Sequence, residues 1–329
     1  MKEVSIIIPA VTWEPFTEEC IKACAALFPE ASLILVLDSE LPITTTVPRL
    51  TVLYGQTGTI SRKRNVAVAL ASTTYIAFID SDAYPHKDWL NNAIAILNSD
   101  KKVGLVGGPN ISPPSESLER KLVGMSIKSW LVAGKWNFYK FEHSPARYCD
   151  NLPSCNLILR KDMYAELNGM NETLEVGEDT DFCARLIQHG YNVFFHPSVI
   201  VYHYDRKIPA YFRQRMVRGA GVFLHIFGHS AQKNSWYTYL MLQPVFALLF
   251  WLSFPIVFIW STWLFVFTLI AFVYVLLIVV EAYKCSDSFR FIPAVSLLIL
   301  AGNVLPGVGF LMKMLGAFPS LQSFYRNDE

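Results

Sequence analysis

The chain has 329 residues, 53% apolar and 17% charged, with a net charge of +1; its mean hydropathy of +0.32 is too high for an ordinary pair of soluble domains. A near-neutral balance without a long basic run excludes nucleic acid as the partner. Six cysteines, at 20, 24, 149, 155, 183 and 285, form neither Cys-x-x-Cys pairs nor a tight partnership with histidine, so zinc is not expected and the thiols are expected to be reduced.

The N-terminus, Met-Lys-Glu-Val, enters a strand without the basic leader and apolar core of a signal peptide, which predicts a cytoplasmic first domain. Val4 to Pro9 reads as a buried strand, Thr17 to Leu27 as a helix with Glu18 and Glu19 in its first turn, and Ser32 to Leu37 as a second strand ending at Asp38. Strand, helix, strand with short connections begins a doubly wound sheet. Asp38, at a strand's carboxyl end, suits the sugar or base of a nucleotide; a turn or helix cap is the equal alternative.

Arg49 to Tyr54 makes a third strand. The loop after it runs Gly55 to Asn65 and carries Arg62, Lys63 and Arg64 ahead of a helix with Ser61 as expected N-cap, which reads as an anion site or as a solvated basic face. Tyr75 to Ile79 is an apolar run ending in Asp80-Ser81-Asp82, two carboxylates at the edge where ligands bind in open α/β sheets, or an Asp-rich turn. A helix over Asp88 to Leu97 and a strand over Val103 to Val106 follow.

From Ser112 to Asp150 the sheet pattern lapses into an amphipathic stretch containing Leu118, Leu122, Met125, Trp130 and Leu131. It reads as a helix packing on the sheet, with an interfacial element as the alternative. A strand over Leu157 to Arg160 and a short helix to Leu167 precede Val176-Gly177-Glu178-Asp179-Thr180-Asp181. Apolar spacing from Phe182 starts a helix here, which places Glu178 and Asp179 at its N-terminal end, where the dipole favours ionised carboxylate. The last strands are Tyr191 to Phe195 and Val199 to Tyr202, with His203 next. Arg213 and Arg218 follow on a helix opened by Pro209, suited equally to a diphosphate and to lipid headgroups.

The C-terminal part is nearly uncharged. A span needs about 20 residues, so helices over about 239–260, 262–282 and 291–312 are expected to cross a membrane, the third with a bend at Pro306 as its alternative. Lys284 and Arg290 place the intervening loop on the cytoplasmic side. The expected division is a cytoplasmic catalytic domain over 1–225 and a multi-pass membrane domain over 226–329.

The ordered set Ile8-Pro9, Asp38, Arg64-Asn65, Asp80-Ser81-Asp82, Asn156, Gly177-Glu178-Asp179 with Asp181 and Arg185, Gly190-Tyr191 and His203 resembles a family 2 glycosyltransferase. The resemblance implies a GT-A fold, a Rossmann-like mixed sheet in the α/β class, followed by transmembrane helices as in membrane-bound enzymes of exopolysaccharide or lipid-linked glycan assembly. It implies nucleotide contacts from Pro9, Asp38 and Arg64, ribose or metal contact from Asp80, and Mn²⁺ or Mg²⁺ on Asp82 with His203 nearby. Asp179 of the Glu178-Asp179 pair is implied as general base, and a nucleoside-diphosphate sugar, UDP foremost, as donor. The chemistry needs these parts, because an attacking hydroxyl loses a proton while a diphosphate leaves.

There are two departures. Gln214 is followed by Val217, Arg218 and Gly219 rather than by the Gln-x-x-Arg-Trp of processive polymerases, which implies one sugar per event. Asp38 is followed by Ser39-Glu40 rather than Gly-Ser. The expected reaction is inverting transfer of one sugar to a polyprenyl-linked glycan at the inner face of the cell membrane. The rivals are transfer to polyprenyl phosphate itself and a non-catalytic, membrane-anchored nucleotide-sugar-binding protein.

Overall fold

A computed structural model describes residues 3–41, 43, 45, 47–227, 242–257 and 261–318, and the chain divides into two compact units. The first comprises Met1–Pro114 and Phe138–Tyr204, the second Ser115–Asn137 and Asp205–Glu329.

The first unit is built on an eight-stranded mixed sheet. Its elements are β1 (Val4–Pro9), α1 (Pro15–Leu27), β2 (Ser32–Val36), β3 (Leu50–Leu53), α2 (Ile60–Leu70), β4 (Tyr75–Ile79), β5 (Ala83–Pro85), α3 (Trp89–Ser99), β6 (Val103–Gly107) and β7 (Asn110–Ile111). After the excursion into the second unit come β8 (Arg147–Cys149), β9 (Asn156–Arg160), α6 (Lys161–Glu166), α7 (Glu178–Gln188), β10 (Asn192–Phe195) and β11 (Val201–His203). The large sheet runs β3-β2-β1-β4-β9-β6-β10-β8. β1, β2, β3 and β4 are parallel, and β9 runs antiparallel between β4 and β6. Every residue of β1 and β4 is buried, as continuous apolar runs require in a sheet covered on both faces.

The reversal at β9 has a direct consequence. It pairs Ile79 with Asn156, so the start of β9 lies beside the end of β4, where Asp80 emerges. A second sheet, β5-β11-β7, was not foreseen as such: β5 and β7 are two or three residues long, too short for periodicity to register. Its middle strand ends at His203, which pairs with Ala83 and is thereby returned to the Asp80–Asp82 turn. Gly108, between β6 and β7, permits the close backbone approach to the segment that precedes β11, since a Cβ on it would lie 2.2 Å from the Val199 carbonyl oxygen.

The second unit is helical: α4 (Leu118–Ile127), α5 (Trp130–Ala133), α8 (Ile208–Phe227), α9 (Gln243–Leu252), α10 (Phe254–Val257), α11 (Ser261–Cys285) and α12 (Ile292–Met314). The expectation that the 118–131 stretch packs on the sheet is corrected here. Met125 and Val132 join Ile278, Ala282, Val295 and Ile299 in one buried cluster, so the apolar face of α4 and α5 is spent on α11 and α12. Two helical stretches, Trp263–Cys285 and Phe289–Met314, are long and apolar enough to cross a membrane, with mean hydropathies of 2.9 and 2.0. Of the expected span at 239–260, residues 239–241 and 258–260 lie outside the described residues.

α12 continues through Pro306 without a break. Proline has no N–H, so the Gly302 carbonyl four residues earlier loses its helical donor. Arg215, buried on α8, supplies one: its Nε donates to Gly302 O at 2.9 Å, while a second guanidinium nitrogen donates to Val132 O at 3.1 Å. Glycines bring the two helices together, since a Cβ on Gly219 would lie 1.7 Å from Pro306 O and one on Gly309 1.9 Å from Met216 O. Asn303 adds a polar node, accepting from Gln243 and Tyr274 and donating to Leu131 O. Glu281, the one acid in α11, accepts from Ser129 Oγ and Trp130 N at 3.0 Å each and so caps α5.

Arg215→Met should therefore cost about 1–3 kcal/mol through the stranded carbonyl groups. Pro306→Ala restores an N–H to Gly302 O and should recover part of that loss in the double variant. Denaturant unfolding of the four proteins in the cycle measures the coupling, and strictly additive effects would refute the assignment of Arg215 to the proline gap.

Candidate active site

Arg64 is the centre of the site. It lies on α2, whose N-cap is Thr59 rather than the expected Ser61: the Thr59 hydroxyl accepts from Arg62 N, and Ser61 is itself buried. Lys63 and Arg64 lie on the buried face of this helix. Arg64 is fully buried, its guanidinium 5.6 Å above the Phe78 ring. One terminal nitrogen donates to Asp80 Oδ1 at 2.9 Å and the other to Glu178 Oε1 at 3.1 Å. Lys63, also buried, pairs with Asp38 and donates to Ala10 O at 2.7 Å, next to Pro9 at the end of β1. These two bases thus hold the chain's own carboxylates, which sets aside the reading of a solvated basic face for both.

The carboxylates come from separate parts of the sheet. Asp80 and Asp82 follow β4, and His203 Nε2 reaches both, 3.8 Å from Asp80 Oδ2 and 3.3 Å from Asp82 Oδ1. Glu178 is the first residue of α7, entered through Gly177 at φ +81°, a left-handed turn that glycine adopts without strain. Asp179 is half-buried beside it, its Oδ1 accepting from Thr180 N at 2.7 Å. Asn65 fixes the loop leading to α7, donating to Met170 O and to Glu172 and accepting from Met170 N. Arg185 ties α7 to the same loop, bonding Asp181 and the carbonyls of Leu167 and Gly169. Asn156 accepts from Trp89 Nε1 and donates to Pro109 O and Val199 O, holding the sheet's carboxyl edge together.

The electrostatics divide the acids. Burial disfavours the charge on Asp80, but His203 and Arg64 outweigh it and hold its carboxyl below the ordinary value. Burial, reinforced by the neighbouring Asp179 charge, pushes Glu178 up to about 7 despite Arg64. Burial would lower His203, yet the charges of Asp82 and Asp80 prevail and raise it.

Of the residues singled out in the sequence, Asp80, Asp82, His203, Arg64, Glu178 and Asp179 are gathered around one point, and Asp38 and Pro9 stand along the same edge with Lys63. Arg213 and Arg218 are on α8 in the second unit. Two residues missed by sequence reasoning matter. Lys63 was visible as a base but not as the partner of Asp38, since that pairing depends on the helix's rotation. Cys155, one position before β9, has a sulfur lying with an Asp80 oxygen and a His203 nitrogen within 4.8 Å of one another; no local spacing announces it. Two carboxylates in one place supply the oxygen donors a hard divalent cation takes, and the imidazole beside them is a donor for transition-metal cations.

The comparison with solved structures defines the fold. The chain superposes on the mannosyltransferase PcManGT from Pyrobaculum calidifontis, solved with GDP-Man and Mn²⁺, with a TM-score of 0.56 at 14% identity, covering 96% of this chain and 88% of that one. This is the GT-A fold. The signature described as Glycosyl transferase family group 2 matches residues 75–284, more than half of the chain, and the protein belongs to that family. It is 31% identical over 143 residues to the pre-mycofactocin glycosyltransferase of Mycobacterium tuberculosis, covering 44% of this chain but only 29% of that protein, under a third of its length. It is 24% identical over 237 residues to glycosyltransferase AglE of Haloferax volcanii, covering 66% of this chain and 72% of AglE.

Two outcomes follow from this geometry. Arg64→Met, which leaves Asp80 and Glu178 without their shared cation, should lower stability by about 3–5 kcal/mol in denaturant unfolding, and Arg64→Lys should recover part of it; a loss below about 1 kcal/mol would contradict the central role of Arg64. Glu178 holds its proton up to about 7 in the fold but releases it near the ordinary 4.5 when unfolded. Its contribution to stability is complete below the lower value and lost as pH rises through the upper one. Melting temperature should accordingly fall for the wild type relative to Glu178→Gln between pH of about 5 and about 8, and parallel curves would refute the shift.

Proposed function

We propose that the protein is an inverting, divalent-cation-dependent glycosyltransferase that moves one sugar from a nucleoside-diphosphate sugar to a polyprenyl-linked glycan. The observation that carries this reading is the buried Arg64 holding Asp80 and Glu178 while His203 reaches Asp80 and Asp82. Asp82, Asp80 and His203 would hold Mn²⁺ or Mg²⁺. When bound, the cation neutralises charge on the leaving diphosphate. Arg64 keeps Asp80 ionised and oriented; Asp38 and Pro9 line the strand edge suited to the nucleoside, with UDP as the first donor to test. Asp179, at the positive end of α7, takes the proton of the attacking hydroxyl, and Glu178 is a positioning residue that anchors Arg64.

The second unit supports membrane attachment. Its helix α11 carries exposed Trp263, Phe265, Phe272 and Tyr283, apolar surface that a lipid bilayer would cover. We place the enzyme at the cell membrane as a multi-pass protein with its catalytic domain, built on the first unit, facing the cytoplasm. Arg213 and Arg218 are assigned to diphosphate or lipid headgroups.

Membranes containing the protein, incubated with a panel of labelled nucleotide sugars, should yield a sugar-bearing polyprenyl-linked glycan on lipid extraction. Chelator should abolish transfer and Mn²⁺ restore it. Asp82→Asn should abolish the metal response, and Asp179→Asn should lower kcat by about 10²–10⁴-fold with nucleotide binding retained. Full activity of Asp179→Asn with continued dependence on Asp82 would instead indicate a lipid phosphate acceptor, which hardly needs a base. Nucleotide binding with no transfer across the panel would overturn the enzymatic reading.

A further inference from the structure

Cys155 is left unused by the chemistry above, although it stands inside the site. It is 8% exposed, one residue before Asn156, whose side chain is fixed by three hydrogen bonds. The antiparallel entry of β9 beside the end of β4 is what carries its sulfur to Asp80 and His203. Asp82 meets the same histidine nitrogen at 3.3 Å. The four side chains offer sulfur, nitrogen and two carboxylates, and zinc–donor bonds of about 2.0–2.3 Å would draw these donors inward from their present spacing.

Cation hardness decides which donors are used. Magnesium takes oxygen donors and manganese oxygen with an occasional imidazole, and neither displaces a thiol proton, whereas zinc and cadmium bind sulfur as thiolate.

We propose that Asp80, Cys155 and His203, with Asp82 as fourth donor, form a mixed sulfur, nitrogen and oxygen site that captures a thiophilic divalent cation of the zinc or cadmium class in competition with Mn²⁺ or Mg²⁺. Binding releases the Cys155 proton to solvent, with no change of oxidation state. The captured cation withdraws Asp80, Asp82 and His203 from the diphosphate, making the site a point of inhibition by soft metals. This inference rests on the reading of those three residues as cation donors.

Cobalt(II) chloride titrated into the full-length protein provides a readout independent of activity. The wild type should develop a near-ultraviolet sulfur-to-cobalt charge-transfer band. Cys155→Ser should lose it, while Cys20→Ser keeps it; Cys20 donates to the Asp80 backbone carbonyl at 3.6 Å and is the nearest control. Competition against cobalt should show zinc affinity falling about tenfold or more in Cys155→Ser, with Mn²⁺ affinity by electron paramagnetic resonance changed by no more than about twofold. Retained Mn²⁺ binding also reports an intact fold, and Cys155→Ala serves if the serine variant does not fold. A wild-type cobalt spectrum without the band, a band surviving in Cys155→Ser, or an equal fall in Mn²⁺ and zinc affinity would overturn the proposal. Mn²⁺-dependent transfer without the band would refute this inference alone; the band without transfer would refute only the proposed function.

Discussion

One buried guanidinium organises the first unit. Arg64 has no exposed surface, and its two terminal nitrogens go to carboxylates from different places in the chain, Asp80 after β4 and Glu178 at the head of α7. A buried cation is tolerable only with its charge matched, so neither carboxylate can move without stranding it. The planar fork sets the spacing between the two acids, which a lysine's point charge would not. Around it the supporting contacts are mostly to backbone: Asn65 and Arg185 secure the approach to α7, and Asn156 secures the loops at the sheet's carboxyl edge.

The same rule governs the helical unit. Three of its polar side chains are engaged with backbone positions that proline or a helix end leaves open. Arg215 serves the carbonyl that Pro306 strands, Glu281 serves the first amide of α5, and Asn303 serves Leu131 O. With apolar surface abundant on every helix, hydrophobic burial alone would leave register poorly specified. Glycines that admit backbone contact and a few satisfied polar groups select one packing.

Much of the fold was legible because its signals are local. β1 and β4 are unbroken apolar runs, α1, α3 and α7 follow apolar spacing, and the two long C-terminal helices follow from length and hydropathy. β5 and β7 were not legible, since two or three residues carry no period, and the helix over 118–127 was read onto the wrong neighbour. Amphipathicity shows that a face will be covered but not by what.

Residue types and their order by themselves determined that acids stand at strand ends, that basic residues head α2, that an acidic pair opens α7 and that the tail is apolar. Only the tertiary structure decided that Lys63 and Arg64 turn inward to Asp38, Asp80 and Glu178, that His203 returns to Asp80 and Asp82, and that Cys155 joins them. These meetings depend on a helix's rotation, on the antiparallel insertion of β9 and on the small sheet that carries His203. All three are settled by long-range packing, which no local pattern encodes.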